Sequence, residues 1–185
     1  MESARAKRAQ RFTNVGHSLN HLLTLLYPTI VLTLETEWQR SYAELIRRLN
    51  YDPEFFRPRP TTTEAQWLTQ RVATTHDIHH VVSGFGTMAA GESGVLAITA
   101  AQIGFPAYVL LTTAGQLASF RFQIERFEAI SRAVGHGHAI ARQASCLAAA
   151  RWEEGWKKPV NQWRLELGLS DPADHESYGL AAQLP

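Results

Sequence analysis

Residues 93–120 read SGVLAITAAQIGFPAYVLLTTAGQLASF, from Ser93 to Phe120 without a single charge. The run exceeds the ~20 residues that a membrane-spanning helix requires, so its reading decides the fold. Thr99, Gln102, Gly104, Thr112, Thr113, Gly115 and Gln116 dilute it. Pro106 lacks a backbone donor and clashes with the preceding turn, which splits the run into two helical pieces. The favoured reading is a pair of buried core helices. A wall around an apolar ligand, or a surface that dips into a membrane, comes second, and a true span last.

Outward from this run the periodicity stays helical, and no apolar/polar alternation persists long enough for a sheet. The expected fold is all-α, a single compact helical domain of about six to eight helices. Upstream, Thr61, Thr62 and Thr63 are candidate N-caps for a helix reaching to about Val82. Pro53, Pro58 and Pro60 mark the linker before it. Earlier still, Leu19 to Leu26 and Thr36 to Leu49 read as helices, and residues 1–14 as a basic tail carrying Arg5, Lys7, Arg8 and Arg11. Downstream, residues 116–133 read as a helix with one wet face, interrupted at Gly135 and Gly137, and residues 139–156 as an alanine-rich helix. A short helix after Pro159 closes a domain of residues 15–169, and residues 170–185 read as a loose tail.

With 45% hydrophobic residues among 185, the chain can bury a core, which excludes disorder, and a net charge of +1 gives no field favouring nucleic acid. The lone Cys146 cannot form an internal disulfide, which suits a reducing compartment. No secretory signal is visible at the N-terminus, so a cytoplasmic location is expected, with the basic tail resting on an anionic membrane surface.

The residues richest in chemistry are Thr75-His76-Asp77-Ile78-His79-His80, on the long helix, with Glu92 following. Taking His76 as zero, His80 falls at about 40° and Asp77 at about 100°, so the three share one arc of the helix. Two imidazoles one turn apart can grip one metal ion, and Asp77 can be a weak ligand, an outer partner or a base acting through water. His79, at about −60°, flanks His76 on the other side. A straight helix would carry Glu92 about 18 Å away, so the chain must turn back if Glu92 joins the site. Gly84, Gly86 and Gly91 supply the freedom to turn. Glu92 is then either a charge complementing a helix dipole or a further ligand. His136-Gly137-His138 reads as a turn between helices with ligand-like spacing.

His76-Asp77-x-x-His80, eleven residues, then Glu92 resembles the His-Asp-x-x-His-x(11)-Glu signature of the ubiquinone (coenzyme Q) biosynthesis protein 4 family. Similar to that family too are Arg71, Val81-Val82-Ser83-Gly84, Gly91, Gln102, Pro106, Trp152-Glu153-Glu154-Gly155-Trp156, Pro159, Arg164 and Leu167-Gly168-Leu169. His79 stands where the resemblance leads one to expect a bulky apolar or aromatic residue, and His136-Gly137-His138 replaces a stretch that often holds Arg.

The resemblance implies an all-helical protein that works with other quinone biosynthesis proteins at a membrane surface, on the matrix face of the inner membrane if mitochondrial. It implies a divalent metal held by His76, Asp77, His80 and Glu92, usually called zinc, with iron or manganese easing an oxidative step. The implied activity, a lyase-type one, is oxidative decarboxylation at ring carbon 1 of a polyprenylated hydroxybenzoate; the alternative is a non-catalytic lipid-binding organiser. Val95, Leu96, Ile98, Phe105, Tyr108, Val109, Leu110 and Leu111 are candidates to line a channel for the isoprenoid tail. An exposed apolar face would suit a homodimer. A His-Asp phosphohydrolase is disfavoured, since His17 and His21 are distant and Asp171 lies in the expected tail.

Overall fold

A computed structural model of the protein describes residues 60–155 and 157–182. The basic tail, the two helices expected before residue 50, and Trp156 lie outside the described residues. Five α-helices and three short 3-10 turns make up the described fold, which is helical as expected: α1 (Glu64–Ser83), α2 (Ala89–Ile103), α3 (Pro106–Phe122), α4 (Ile124–Gln143) and α5 (Val160–Leu167). The described residues divide into two units, residues 60–77 with 151–155 and 157, and residues 78–150 with 158–182, and α1 runs through the boundary.

In the first unit, α1 opens on a reciprocal cap. The Gln66 N–H donates to Thr63 Oγ1 at 3.2 Å and the Thr63 N–H to Gln66 Oε1 at 3.3 Å, satisfying donors that the first turn leaves free. Thr63 is thus the cap among the three threonines. Farther along α1, the Arg71 guanidinium takes both carboxylate oxygens of Glu153, at 3.3 and 3.0 Å, with the arginine buried. Such a two-pronged ion pair ties the helix to the 3-10 turn Trp152–Glu154.

In the second unit, α1 ends at Gly84, whose φ of +78° favours glycine and whose N–H donates to the His80 carbonyl at 2.8 Å. A side chain there would also meet the backbone nitrogens of Ala173 and Asp174 at under 3 Å. Arg164 on α5 caps the same end, donating to the carbonyls of Val82 and Val81 at 2.8 and 3.1 Å while paired with Asp174.

The uncharged run breaks where expected. Gly104 (φ +67°) closes α2, and Pro106 opens α3 at a position where no donor is needed. Its two halves differ in burial. Val95, Ala97 and Ile98 of α2 are fully buried, whereas α3 buries Thr112 and Ser119 and exposes Leu110, Leu117 and Phe120. The expectation of two buried core helices therefore holds for α2 and fails for α3, because α3 turns its small polar residues inward. No described helix is long and apolar enough to cross a membrane.

α2 packs on α4 through Ala97, Ile130 and Val134, with Ala90 at the edge. The two backbones approach so closely that a Cβ on Gly137 would lie 2.3 Å from the Gly94 carbonyl oxygen. This corrects the expected break: Gly135 and Gly137 are interior residues of α4, and His136 and His138 stand on that helix, not on a turn.

The helix expected over residues 139–156 is also absent beyond Gln143. Gln102 draws the backbone away from a helical ladder, its amide donating to the carbonyls of Ser145 and Ala144 and its oxygen accepting from the Leu147 N–H at 2.9 Å. Ser145 N–H donates instead to Leu167 O at 2.8 Å.

Residues 170–182, expected to be loose, are packed. Ala173, Tyr178 and Leu180 are buried, and Phe85 and Gly179 form an antiparallel bridge.

Candidate metal centre

The helix geometry places His76 one turn before His80 on the uninterrupted α1. Beyond α1 the chain reverses through Gly84–Gly86, and α2 brings Glu92 back. The reversal is tight enough that a Cβ on Gly91 would lie 2.0 Å from the Gly86 carbonyl oxygen. Glycine is required there by the close approach of two backbone segments.

Glu92, in the first turn of α2, therefore does more than complement a helix dipole. Its Oε2 lies 3.0 Å from His80 Nε2. Ring nitrogens of His76 and His80 and a Glu92 carboxylate oxygen all lie within 4.8 Å of one another, the one such group of His, Cys, Asp or Glu among the described residues. His80 is buried, with His76 and Glu92 half-exposed at its rim. Asp77, half-exposed, is not a member of this group, and His79, next to His80 in sequence, is buried.

The contacts of His80 fix the role of each ring nitrogen. Nδ1 lies 3.1 Å from the Phe85 carbonyl oxygen, which can only accept, so Nδ1 carries hydrogen. Nε2 is then the nitrogen that faces Glu92. In a neutral ring it presents a lone pair, and two acceptors at 3.0 Å are compatible only with a proton or a metal cation between them. A ligating histidine commonly has this arrangement, its second nitrogen held by a backbone carbonyl. Two imidazoles and a carboxylate suit zinc and equally an oxygen-activating ferrous ion. The residues present thus fit a divalent metal.

The candidate channel residues differ in burial. Val95 and Ile98 are sealed in the core, Leu96 and Tyr108 are half-buried, and Phe105, Val109, Leu110 and Leu111 are exposed. Burial raises the phenol of Tyr108 above the usual tyrosine range. His136, weighed above as a ligand, instead bonds Tyr178 and the Asp171 backbone on one face of α4. Reading by residue type missed Phe85, whose contribution is a carbonyl that any residue carries.

The sequence profile of the coenzyme Q (ubiquinone) biosynthesis protein Coq4 matches residues 35–173. The rat ubiquinone biosynthesis protein COQ4 homolog, a mitochondrial protein by name, is 32% identical over 114 residues, which are 60% of this chain and 42% of that one. The mitochondrial COQ4 of the yeast Zygosaccharomyces rouxii is 32% identical over 108 residues, covering 57% and 31% respectively. The chain therefore spans less than half the length of the curated relatives it matches. A crystal structure named for ubiquinone biosynthesis, from Nostoc punctiforme, shares the fold at a TM-score of 0.69 and 24% identity, covering 88% of this chain and 82% of its own. With the profile matched over most of its length, the chain belongs to the Coq4 family of coenzyme Q (ubiquinone) biosynthesis proteins.

Proposed function

We propose that the protein binds one divalent metal through His76, His80 and Glu92 and acts in ubiquinone-type quinone biosynthesis on a polyprenylated hydroxybenzoate. The observation that carries the metal is the paired contact of His80, with one nitrogen held by a carbonyl and the other set against a carboxylate. Asp77, next to His76 in sequence and outside that group, would hold a water when the metal is bound.

The proposed reaction exchanges the carboxylate on ring carbon 1 for a hydroxyl. The bond to the carboxyl carbon breaks with loss of carbon dioxide, a carbon–oxygen bond forms to the oxygen of a water, and dioxygen accepts the two electrons that leave the ring and departs, with two protons, as hydrogen peroxide. When bound, the metal supplies Lewis-acid polarisation of the substrate's oxygens, and iron or manganese would add redox capacity that zinc lacks. The chain's own part is to orient His80, to keep its nitrogen dry, and to hold a carboxylate opposite it.

A second reading, a non-catalytic organiser of quinone biosynthesis proteins, is favoured by the exposed Leu110, Leu117 and Phe120 of α3. The same surface would suit association with a membrane.

Metal analysis of the purified protein in chelated buffer, beside His80→Ala and the rim variant Glu92→Gln, tests the metal. Mass spectrometry of a prenylated 4-hydroxybenzoate incubated with each metal-loaded form in air tests the reaction. Stoichiometric metal and hydroxylated product in the wild type, both lost in the variants, are expected. Absence of bound metal from the wild type would refute the centre, and bound metal without product under any loading would leave the organiser.

A further inference from the structure

We infer that residues 171–180 act as a positioning element for His80, with Tyr178 as the residue that pins the Phe85 carbonyl against the His80 ring; the inference rests on the metal reading above. The Phe85 carbonyl is the acceptor that assigns hydrogen to His80 Nδ1 and so turns Nε2 toward Glu92. A free loop carbonyl could swing away by rotating its peptide plane. Here both flanking residues are fastened: the Leu180 N–H donates to Gly84 O at 2.7 Å, and the Gly86 N–H donates to Tyr178 O at 2.9 Å.

The Phe85 ring is fixed as firmly as its backbone. It is fully buried, stacked on Tyr178 with centroids 5.7 Å apart, and met edge-on by His136 at 5.3 Å. On a further side it presses on Gly94, where an added Cβ would lie 2.3 Å from a ring carbon. Tyr178 is held in turn. His136 Nε2 lies 2.9 Å from the Asp171 carbonyl oxygen and must carry hydrogen, so in a neutral ring Nδ1 accepts from the Tyr178 hydroxyl at 3.2 Å. The path from Asp171 through His136, Tyr178 and Phe85 thus ends on a metal ligand, and every contact in it lies within the second unit.

Groups that orient a ligating histidine typically change metal affinity 10–100-fold when lost. The test is cobalt(II) binding to the full chain, followed by its visible spectrum and by competition with a chelator, for wild type, Tyr178→Phe and Tyr178→Ala. Tyr178→Ala removes the stack and should weaken cobalt binding by roughly 10-fold or more with an altered spectrum. Tyr178→Phe keeps the stack and should stay within about threefold of wild type, a rescue by the conservative variant. A folded Tyr178→Ala protein with wild-type affinity and spectrum would overturn the inference while leaving the metal centre standing. Should Tyr178→Ala not fold, Phe85→Leu, which keeps the carbonyl and loses both ring contacts, decides by the same criteria. A wild type that binds no cobalt would overturn the metal reading itself, and the inference with it.

Discussion

Two glycines two positions apart on α4 should respond to alanine with opposite signs. At Gly137 the new methyl would lie 2.3 Å from the Gly94 carbonyl oxygen and 3.1 Å from Ala97 Cβ. A backbone oxygen cannot rotate aside, so α2 and α4 must separate along the packing of Ala97, Ile130 and Val134. Overpacking of this kind costs about 3 kcal/mol, at the upper end of its usual range. The helix preference of alanine over glycine returns about 1 kcal/mol, leaving a net loss of about 2 kcal/mol. For a chain of this size that is a fall of roughly 4–8 °C in Tm. At Gly135 a methyl meets nothing within 4 Å, so only the preference acts, and Gly135→Ala should raise Tm by roughly 1–4 °C. Calorimetry and urea unfolding followed by circular dichroism measure both. If Gly137→Ala unfolds with the wild type, or Gly135→Ala falls as far as Gly137→Ala, the close-approach reasoning is refuted.

Replacing Arg164 by alanine removes the donors to Val81 O and Val82 O and strands Asp174, for an expected loss of about 2–4 kcal/mol in urea unfolding. Arg164→Lys should recover only part, since an ammonium cannot reproduce the fork. Burial above all, with the negative charge of Glu176 next, raises the Tyr178 phenol above its ordinary value. Its contribution to stability is therefore complete below about pH 10 and is lost as pH rises through the higher folded value. Wild type should lose ground to Tyr178→Phe only in that alkaline window, as the difference in urea midpoints across it will show. Under the metal reading, zinc at about 100 times its Kd should stabilise the wild type by about 2.7 kcal/mol, and thermal shift should detect no such gain in His80→Ala.

Much of the helical plan was legible because local chemistry carried it. The threonines before Glu64 announce the start of α1, and Gly104 with Pro106 the change of helix. The approach of Glu92 to His76 and His80 could be read as one option for a similar reason, since a one-turn spacing and a cluster of glycines are both local signals, while Asp77, expected among the ligands, stands outside the group. What failed was set by distant partners. Gly135 and Gly137 read as breakers, yet a helix tolerates Gly137 because Gly94 on α2 needs the space. The alanines after Gln143 favour a helix, and Gln102 takes their backbone groups elsewhere. Tyr178 and Leu180 sit in a polar stretch without periodicity, and only their pairing with Gly84 and Gly86 gives them a place.

The tight reversal between α1 and α2 also bears on the order in which the site assembles. His80 and Glu92 meet across a separation of 12 residues, a loop whose closure costs little entropy and takes on the order of 10–100 ns once the helices form. The brace from Tyr178 and Leu180 must wait for α2 through α5 to be in place. The proposed donors His80 and Glu92 of a folding chain thus come within reach of one another early, while the tautomer of His80 is fixed late. Under the metal reading, refolding in the presence of metal should accordingly show loose capture first and tight binding only after residues 178–180 dock.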